Sequence, residues 1–527
     1  MRKAFLLFSI TSLSIIGILS YVNWKFSFLL LIFIPLILMG LYDMYQCKKT
    51  IRRNFPLLGR MRYLLESIGP EIRQYFVEND NDGKPFNRLQ RSLVYQRSKK
   101  ESDAKPFGTQ LDVYEVGYEW INHSINAIPF AKTDQNPRVK IGSSQCTKPY
   151  DASLFNISAM SFGALSKNAI LALNAGAKQG GFFHNTGEGG LSPYHLQEGG
   201  DVVWNIGTGY FSTRNPDGTF SLEEYTKRAT LDNVKMIEIK FSQGAKPGHG
   251  GILPKEKVTD EIAAIRLVEK GNDIISPPKH SAFTTPLELM DFVKLLRKNS
   301  DGKPIGMKIC IGNKSEFISI CKAMVETETY LDFITVDGGE GGTGAAPPEY
   351  SDHVGMPLRD ALAFVYDCLN GFGIKNQIKI IASGKVISGF DIIRCLSIGA
   401  DLCNSARGMM FALGCIQALE CHANTCPTGV ATQDPELMKG LVPQEKSVRV
   451  ARFQHETVKS AMDLMASAGL DHPDKVTRDI VSTRVERNIT ETFAQTFPEL
   501  ETGCLLYEST VPKEFLYFWK KASVENF

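Results

Sequence analysis

The sequence predicts an α/β fold: a parallel (β/α)8 TIM barrel, preceded by an N-terminal transmembrane helical hairpin and followed by a helical C-terminal extension. Three observations lead there. Eight short β-branched or apolar runs recur between Phe155 and Asn404, each ending in glycine or polar residues, with stretches of helical periodicity between them. The glycine-rich text falls after the strands, where such barrels place their ligand sites. Two apolar runs, each long enough to span hydrocarbon as a helix, open the chain.

The chain divides into a hairpin over residues 1–47, a lead-in segment packing on the barrel over 48–150, the barrel over 151–435 and the helical extension over 436–527. In the hairpin, Phe5 to Val22 and Phe26 to Tyr45 are separated by Asn23, Trp24 and Lys25. Arg2 and Lys3 precede the first run, and Lys48, Lys49, Arg52 and Arg53 follow the second. The positive-inside bias therefore places both termini and the body of the chain in the cytoplasm, anchored to the inner or plasma membrane. A cleaved signal peptide is the competing reading, but no small-x-small site precedes a polar mature start. Neither run carries an ionisable residue at its centre, so the hairpin is read as an anchor that brings partners close, without proton or quinone chemistry of its own.

From Ile51 to Phe130 the text is basic, aromatic and irregular. The strands are then expected at Phe155 to Met160, Phe182 to Asn185, Met236 to Phe241, Asp273 to Ser276, Ile305 to Ile311, Phe333 to Val336, Ile378 to Ala382 and Leu402 to Asn404. Helices are expected at Ser166 to Lys178, Lys257 to Glu269, Pro286 to Leu296, Ser315 to Val325, Leu358 to Leu369 and Gly389 to Ser397. A doubly wound sheet is the alternative; against it, no G-x-G-x-x-G turn stands within a βαβ unit of the expected length. Ser192 to Lys227 is too long for an ordinary βα loop and is read as a substrate-side flap. After Gln433 the chain turns helical and charged.

Composition sets the class. With 43% apolar and 22% charged residues the 527-residue chain is globular, and its 59 basic and 57 acidic residues leave a net charge of +2. That balance gives no electrostatic case for nucleic acid as a partner. Of eleven cysteines, three crowd into Cys415-Ile-Gln-Ala-Leu-Glu-Cys421-His-Ala-Asn-Thr-Cys426-Pro427. Three thiols in a reducing compartment are better explained as ligands of an iron-sulfur cluster than as a disulfide framework, because one always lacks a partner. The other eight show no paired spacing and read mostly as small buried hydrophobes.

Four glycine-rich turns follow proposed strands: Ser161 to Ser166, Thr186 to Gly190, Gln243 to Gly251 and Asp337 to Gly344. Glycines let backbone N–H groups approach a flat ring or a phosphate, and although each turn alone reads as a tight turn, four at strand ends point to a ligand. Ser383-Gly384-Lys385 and Ala406-Arg407-Gly408, after the last two strands, form the clearest anion site. Lys308 is a charge within an otherwise apolar strand, costly to bury unless it faces an anionic ligand such as the electron-rich side of a flavin.

Together Ile157 to Ser166, Gly187 to Gly190, Ile239-Lys240, Gln243 to Gly251, Ser276-Pro-Pro278, Gly341 to Pro347 and Cys415 to Gln433 resemble the flavin domain of glutamate synthase, over residues 150 to 435. The resemblance extends to stand-alone, membrane-tethered bacterial glutamate-synthase-like proteins. It implies FMN beside a three-iron, four-sulfur cluster ligated by Cys415, Cys421 and Cys426, and reductive formation of glutamate from 2-oxoglutarate and ammonia through an imine. Carried across, it implies Met160, Ser161, Gln243, Lys308, Asp337, Gly338, Gly339, Ser383, Gly384, Lys385, Ala406, Arg407 and Gly408 as cofactor-binding, and Glu188, Lys240, Lys246 and Lys308 as catalytic. Glu188 would face the imine nitrogen; its blander reading is a turn carboxylate capping nearby amides. Electrons would come singly from a donor protein such as ferredoxin or an NAD(P)H-dependent reductase.

The chain also departs from that pattern. Nothing resembling the family's glutaminase domain precedes the barrel, so free ammonia or another amine is the expected nitrogen source. His249 stands where the family has glutamate, and Lys279-His-Ser-Ala282 replaces a Pro-His-His-Asp text, which implies an altered substrate pocket. Two alternatives follow: an FMN and iron-sulfur dehydrogenase of another amino acid or amine that passes electrons to a membrane acceptor, and a non-catalytic membrane redox sensor.

Overall fold

The computed structural model describes residues 1–527 except Ala245 and Lys246, and divides into two compact units, Met1–Arg88 and Leu89–Phe527. In the first unit, helices Arg2–Val22 and Leu30–Tyr45 are joined by a 3-10 turn over Trp24–Leu29. Residues Arg2–Val22 and Trp24–Tyr45 are both long and apolar enough to cross a membrane, with mean hydropathies of 2.1 and 2.2. Shorter helices, Thr50–Asn54 and Leu58–Ser67, follow.

The second unit is built on a closed parallel barrel. Its strands are β1 (Phe155–Ile157), β2 (His184–Asn185), β3 (Val202–Ile206), β4 (Val234–Lys240), β5 (Ile305–Ile309), β6 (Phe333–Asp337), β7 (Lys379–Ser383) and β8 (Leu402–Ser405). Each pairs with the next and β8 with β1. The helices around them are α1 (Lys167–Gly180), α2 (Leu222–Ala229), α3 (Pro286–Asn299), α4 (Lys314–Glu326), α5 (Leu358–Gly371), α6 (Gly389–Ile398) and α7 (Arg407–Leu413). The long helix α8 (Pro443–Ser467) seals the seam between β8 and β1: Gln454 donates to Ser153 Oγ at 2.9 Å and to the Phe155 carbonyl at 3.1 Å, and the Phe155 and Phe453 rings meet edge-on at 5.8 Å.

The expected number of strands is right, but one member differs. Val202–Ile206, expected within a flap, is a barrel strand with every residue buried, as a parallel strand covered on both faces must be. Fully buried Trp204 stacks on Tyr225 of α2 at 5.6 Å. Asp273 to Ser276 contributes only Ile274–Ile275, which pair antiparallel with Ile252–Leu253 outside the barrel. The excursion over the mouth therefore follows β4, spanning residues 241–285, and its helix is short because Leu267 ends it in the left-handed region. The C-terminal extension is helical over Pro443–Ser467 and Lys513–Lys521 and adds the hairpin Val481–Glu486 and Ile489–Thr492, which pairs with Glu119–Ile121.

The end opposite the mouth is closed by the antiparallel pair Arg138–Ile141 and Tyr150–Ser153. There Asp332, just before β6, accepts from the backbone N–H of Ser143 at 2.6 Å and of Ile305 at 2.7 Å, and pairs with Arg297 at 3.0 Å. Its buried carboxylate thus has a donor for each lone-pair direction that matters.

Candidate active site

The catalytic end of such a barrel is set by the C-terminal tips of the strands, and the chemistry-bearing residues gather there. Lys240 ends β4, and its register partner on β5 is Lys308. Alternate residues of a strand share a face, so Glu238 and Lys240 point the same way. Glu238 is buried and fully partnered: its Oε2 accepts from Asn185 Nδ2 at 2.7 Å and Asn205 Nδ2 at 2.6 Å, and its Oε1 from Thr335 Oγ1 at 2.6 Å. This carboxylate, drawn from β2, β3, β4 and β6, forms a charged floor beneath two lysines.

Lys308 Nζ lies 3.3 Å from Asp337 Oδ2 at the end of β6. Burial works against its charge, but Asp337, Glu238 and Glu188 outweigh that and hold the ammonium above its ordinary range. Asp337 Oδ2 also accepts the Gly244 N–H at 2.9 Å, tying the β4 excursion to β6. Lys240 Nζ bridges Glu188 Oε1 at 2.9 Å and Gln243 Oε1 at 2.8 Å. Glu188 Oε2 accepts from Ser276 Oγ at 3.3 Å. Glu188, Thr208, Lys240, Gln243 and Gly250 line one small cavity.

Two glycines make this close approach possible. Gly187 sits at φ 65°, and a Cβ on it would come within 2.7 Å of the Ser161 nitrogen, so the loops after β1 and β2 pack backbone to backbone and bring Met160 and Ser161 beside Glu188. A Cβ on Gly251 would overlap the Glu188 carboxylate.

The structure joins Glu188, Lys240, Gln243, Lys308 and Asp337 into one cluster. Ser383 Oγ stands 3.1 Å from Ser158 Oγ across the β1–β7–β8 side of the mouth, and Lys385 holds φ 53°, a left-handed conformation that only a constrained loop imposes on lysine. Gly338 and Gly339 continue the loop from Asp337, the Gly338 N–H donating to the Ser383 carbonyl at 2.9 Å. Ala406 caps α7 and Gly408 is buried within its first turn. Arg407 reaches the loop after β6 and donates to the Glu340 carbonyl at 3.0 Å; burial pulls its guanidinium below its usual range, with Asp337 and Glu340 opposing. Lys246 lies outside the described residues.

Two residues carry structure that the sequence did not reveal. His280, in the segment expected to alter the pocket, is buried beneath it. Tyr210 Oη already accepts the Ser281 and Ala282 N–H groups at 3.1 and 3.0 Å, so its hydroxyl proton goes to His280 Nδ1, 3.0 Å away; His280 Nε2–H then donates to the Lys240 carbonyl at 2.9 Å. Burial lowers this imidazole to about 4, with its bond to Lys240 opposing, and the neutral ring fixes the end of β4. The second residue is Lys257, buried after Pro254 and donating to three carbonyls: Ala164 at 3.2 Å, Cys421 at 2.7 Å and Ala431 at 2.8 Å. The helix expected to start at Lys257 begins instead at Asp260, and Lys257 ends a short 3-10 turn.

Lys257 marks where the cysteine loop docks. Gln433 Nε2 donates to the Gly163 and Leu165 carbonyls at 3.1 and 2.9 Å, and the Ser166 N–H donates to the Val430 carbonyl at 2.9 Å, so the loop leans on the turn after β1. A Cβ on Gly344 would touch the Cys421 Cβ at 4.0 Å, so the loop also meets the turn after β6. Gln417, Leu419 and Asn424 all have φ of 60–63°, which gathers strained backbone around the three cysteines. Burial pushes the Cys415 thiol up to about 12, with the Cys421 and Cys426 charges adding to it, and raises Cys421 in the same way. Cys426 differs: burial opposes its thiolate, yet the Thr428 hydroxyl and the N–H groups of Ala431, Thr428 and Val430 prevail and lower it. No three His, Cys, Asp or Glu side chains among the described residues converge closely enough to hold a single metal ion. A polynuclear cluster requires its cysteines further apart, around a larger body.

The fold and the cluster define a (β/α)8 barrel with buried lysines paired with carboxylates at its mouth. Comparison with known proteins assigns the kind. The family model described as a conserved region in glutamate synthase matches residues 98–471. The glutamate synthase large subunit-like protein YerD of Bacillus subtilis (strain 168) is 39% identical over 497 residues, 86% of this chain and 94% of that protein. An archaeal glutamate synthase (NADPH) of Methanocaldococcus jannaschii is 36% identical over 316 residues, 60% of this chain and 59% of its own length. An archaeal-type glutamate synthase (NADPH) of Thermotoga maritima is 34% identical over 315 residues, 59% of each chain. The chain belongs to the glutamate synthase family and is a glutamate-synthase-like oxidoreductase.

Proposed function

We propose that the barrel holds FMN in its mouth beside a three-iron, four-sulfur cluster, and forms an amino acid, glutamate in the first instance, from a 2-oxo acid and free ammonia or an amine. The observation that carries this reading is the convergence of Glu188, Lys240 and Gln243 with Lys308 and Asp337 at one end of the barrel. The residues suit a flavin. Gln243 Nε2 is buried with no hydrogen-bond partner among the described residues, a donor that a flavin carbonyl would satisfy. Lys308 supplies a buried cation for the electron-rich side of the ring, and Ser383, Gly384, Lys385 and Arg407 would meet the phosphate.

Bound FMN supplies hydride, and the cluster on Cys415, Cys421 and Cys426 one-electron transfer from a donor such as ferredoxin or an NAD(P)H-dependent reductase. The protein's own residues do the rest. Condensation of the 2-oxo acid with ammonia releases water; the imine then gains two electrons and two protons, one arriving as hydride at carbon and one at nitrogen. Glu188 is the group that moves the proton at nitrogen, and Lys240 holds it in place at 2.9 Å. Lysine side chains orient the substrate carboxylates. The loops after β1 and β6, both touching the cysteine loop, keep the electron inlet close to the ring.

The chain is proposed to be tethered by its N-terminal hairpin, with the body and both termini on the cytoplasmic side, a placement that the flanking basic residues support. Anaerobic purification with optical spectra, iron analysis and FMN quantitation tests the cofactors. Mixing the reduced protein with 2-oxoglutarate plus ammonium should reoxidise the flavin; absence of both FMN and iron would overturn the reading. A second reading, oxidation of another amine with electrons leaving to a membrane acceptor, is favoured by His249. Its ring packs on Tyr350 at 5.0 Å, and its Nδ1 is buried with no partner among the described residues. Flavin reduction by a panel of amino acids would select it.

A further inference from the structure

We infer that residues 50–77, beyond the two membrane-length helices, form an interfacial foot that lies in the plane of the bilayer and binds an anionic lipid surface. This inference rests on the membrane reading of the hairpin. Between Leu58 and Val77 the chain is helical almost without a break, through Leu58–Ser67, Gly69–Ile72 and Arg73–Val77. Leu58, Met61, Leu65, Ile68, Ile72 and Phe76 recur at three- and four-residue spacing, which places them on one face. That face is uncovered: Leu58 and Met61 are each 62% exposed and Phe76 86%. So long an apolar stripe on a folded chain marks a surface that something covers.

Charge and geometry name what covers it. Residues 43–77 hold Lys48, Lys49, Arg52, Arg53, Arg60, Arg62 and Arg73 against Asp43, Glu66 and Glu71, so basic residues still outnumber acidic ones after Arg60 is paired with Asp43. An apolar face with a basic flank is the composition of a helix lying at the headgroup–acyl boundary of anionic membranes. The foot is also fixed at the right height. Asp43, in the last turn of the second membrane-length helix, is buried and takes a two-pronged bond from Arg60 Nε and Nη2, both at 2.8 Å, and accepts the Leu57 N–H at 3.2 Å. Gln46 ties the same corner, donating to the Asp43 carbonyl at 3.0 Å and the Lys49 carbonyl at 2.9 Å. The end of a membrane helix is the bilayer interface, so a segment bolted to it starts at that depth. Lys49 and Arg52 cover the Tyr63 ring at 4.5 and 4.9 Å, keeping the basic flank together.

The full-length protein in nanodiscs of phosphatidylglycerol and phosphatidylcholine, with a diazirine placed either near the headgroup or deep in the acyl chain, provides the test. Shallow lipid should label Leu58, Met61, Leu65 and Phe76, deep lipid the residues of the two long helices. Replacing phosphatidylglycerol by phosphatidylcholine should lower labelling of the foot several-fold and leave the helices unchanged. Labelled helices with an unlabelled foot would overturn this inference alone, as would cross-links between two copies through Met61 and Phe76. Absence of labelling in the helices would overturn the membrane reading on which it stands. Phe76→Ser with Leu65→Ser should abolish shallow labelling at the neighbouring positions without changing FMN content.

Discussion

Glu188 and Lys240 meet at 2.9 Å across the mouth of the barrel, one from the turn after β2 and the other from the end of β4, and Lys240 is held from behind by His280 on its own carbonyl. Lys240 is thus fixed at the end of a strand, and the turn after β2 brings Glu188 to it. Glu188→Gln keeps the shape and the Ser276 contact but cannot exchange a proton. We expect the rate of imine reduction to fall by about 10²- to 10³-fold, within the range of general acid–base contributions, with FMN content unchanged. Single-turnover reoxidation of the flavin reads this directly, and unchanged kinetics would return Glu188 to a capping role.

Lys308 is balanced by three carboxylate neighbours, Asp337, Glu238 and Glu188. Lys308→Met removes one cation above the Glu238 floor and leaves Asp337 and Glu238 facing the site of an electron-rich ring. Purified protein should retain little or no FMN while its iron content stays near normal. A variant that keeps FMN and only lowers its reduction potential would assign Lys308 to tuning instead of binding.

The site was more legible in the sequence than the wall that carries it. Glycine text after strands marks a mouth whatever the exact strand list, so the residues expected there, Glu188, Gln243, Lys308 and Asp337, fall together although Val202–Ile206 is not expected as a strand. That strand was hidden by its own composition: five buried residues including Trp204 and Asn205 show no alternation, and a two-residue β2 before it offers no spacing cue. Ile274–Ile275 misled for the opposite reason, an apolar pair whose hydrogen bonds go to Ile252–Leu253. Buried polar groups that act through the backbone, Lys257 and His280 above all, leave no pattern in one dimension, because their partners lie 40 to 174 residues away.

Lys257 yields a prediction of its own. It binds the turn after β1 and the cysteine loop on both sides of Cys426, through Ala164, Cys421 and Ala431. Lys257→Met leaves the buried Ala431 carbonyl without this donor, at about 1–3 kcal/mol, and frees the half-buried Ala164 and Cys421 carbonyls for water. Hydrogen exchange of the amides from Cys421 to Ala431 should accelerate, and iron should be lost faster on exposure to air, with FMN retained. Cys426→Ser serves as the reference: iron at background, FMN present. Equal exchange in Lys257→Met and the parent would show that Gln433 and Ser166 suffice to dock the loop.

Acid should attack the barrel through its buried imidazoles. His280 and His195 are lowered from 6.5 to about 4 and about 3, both by burial. Their folded values lie below the unfolded one, so the unfolded chain binds the extra protons first. Stability is complete above pH 6.5 and is lost as pH falls through 6.5 towards 4, by roughly 3 kcal/mol for His280 alone at 1.36 kcal/mol per unit. The mechanism is local: a proton on His280 Nδ1 would face Tyr210 Oη, which already accepts two backbone N–H groups. Thermal midpoints of the FMN-loaded protein between pH 8 and pH 4 should therefore fall steeply below 6.5. His280→Gln, which can still donate to the Lys240 carbonyl but does not titrate, should flatten that slope while lowering the midpoint at pH 8; an unchanged slope would mean that the pH dependence arises elsewhere.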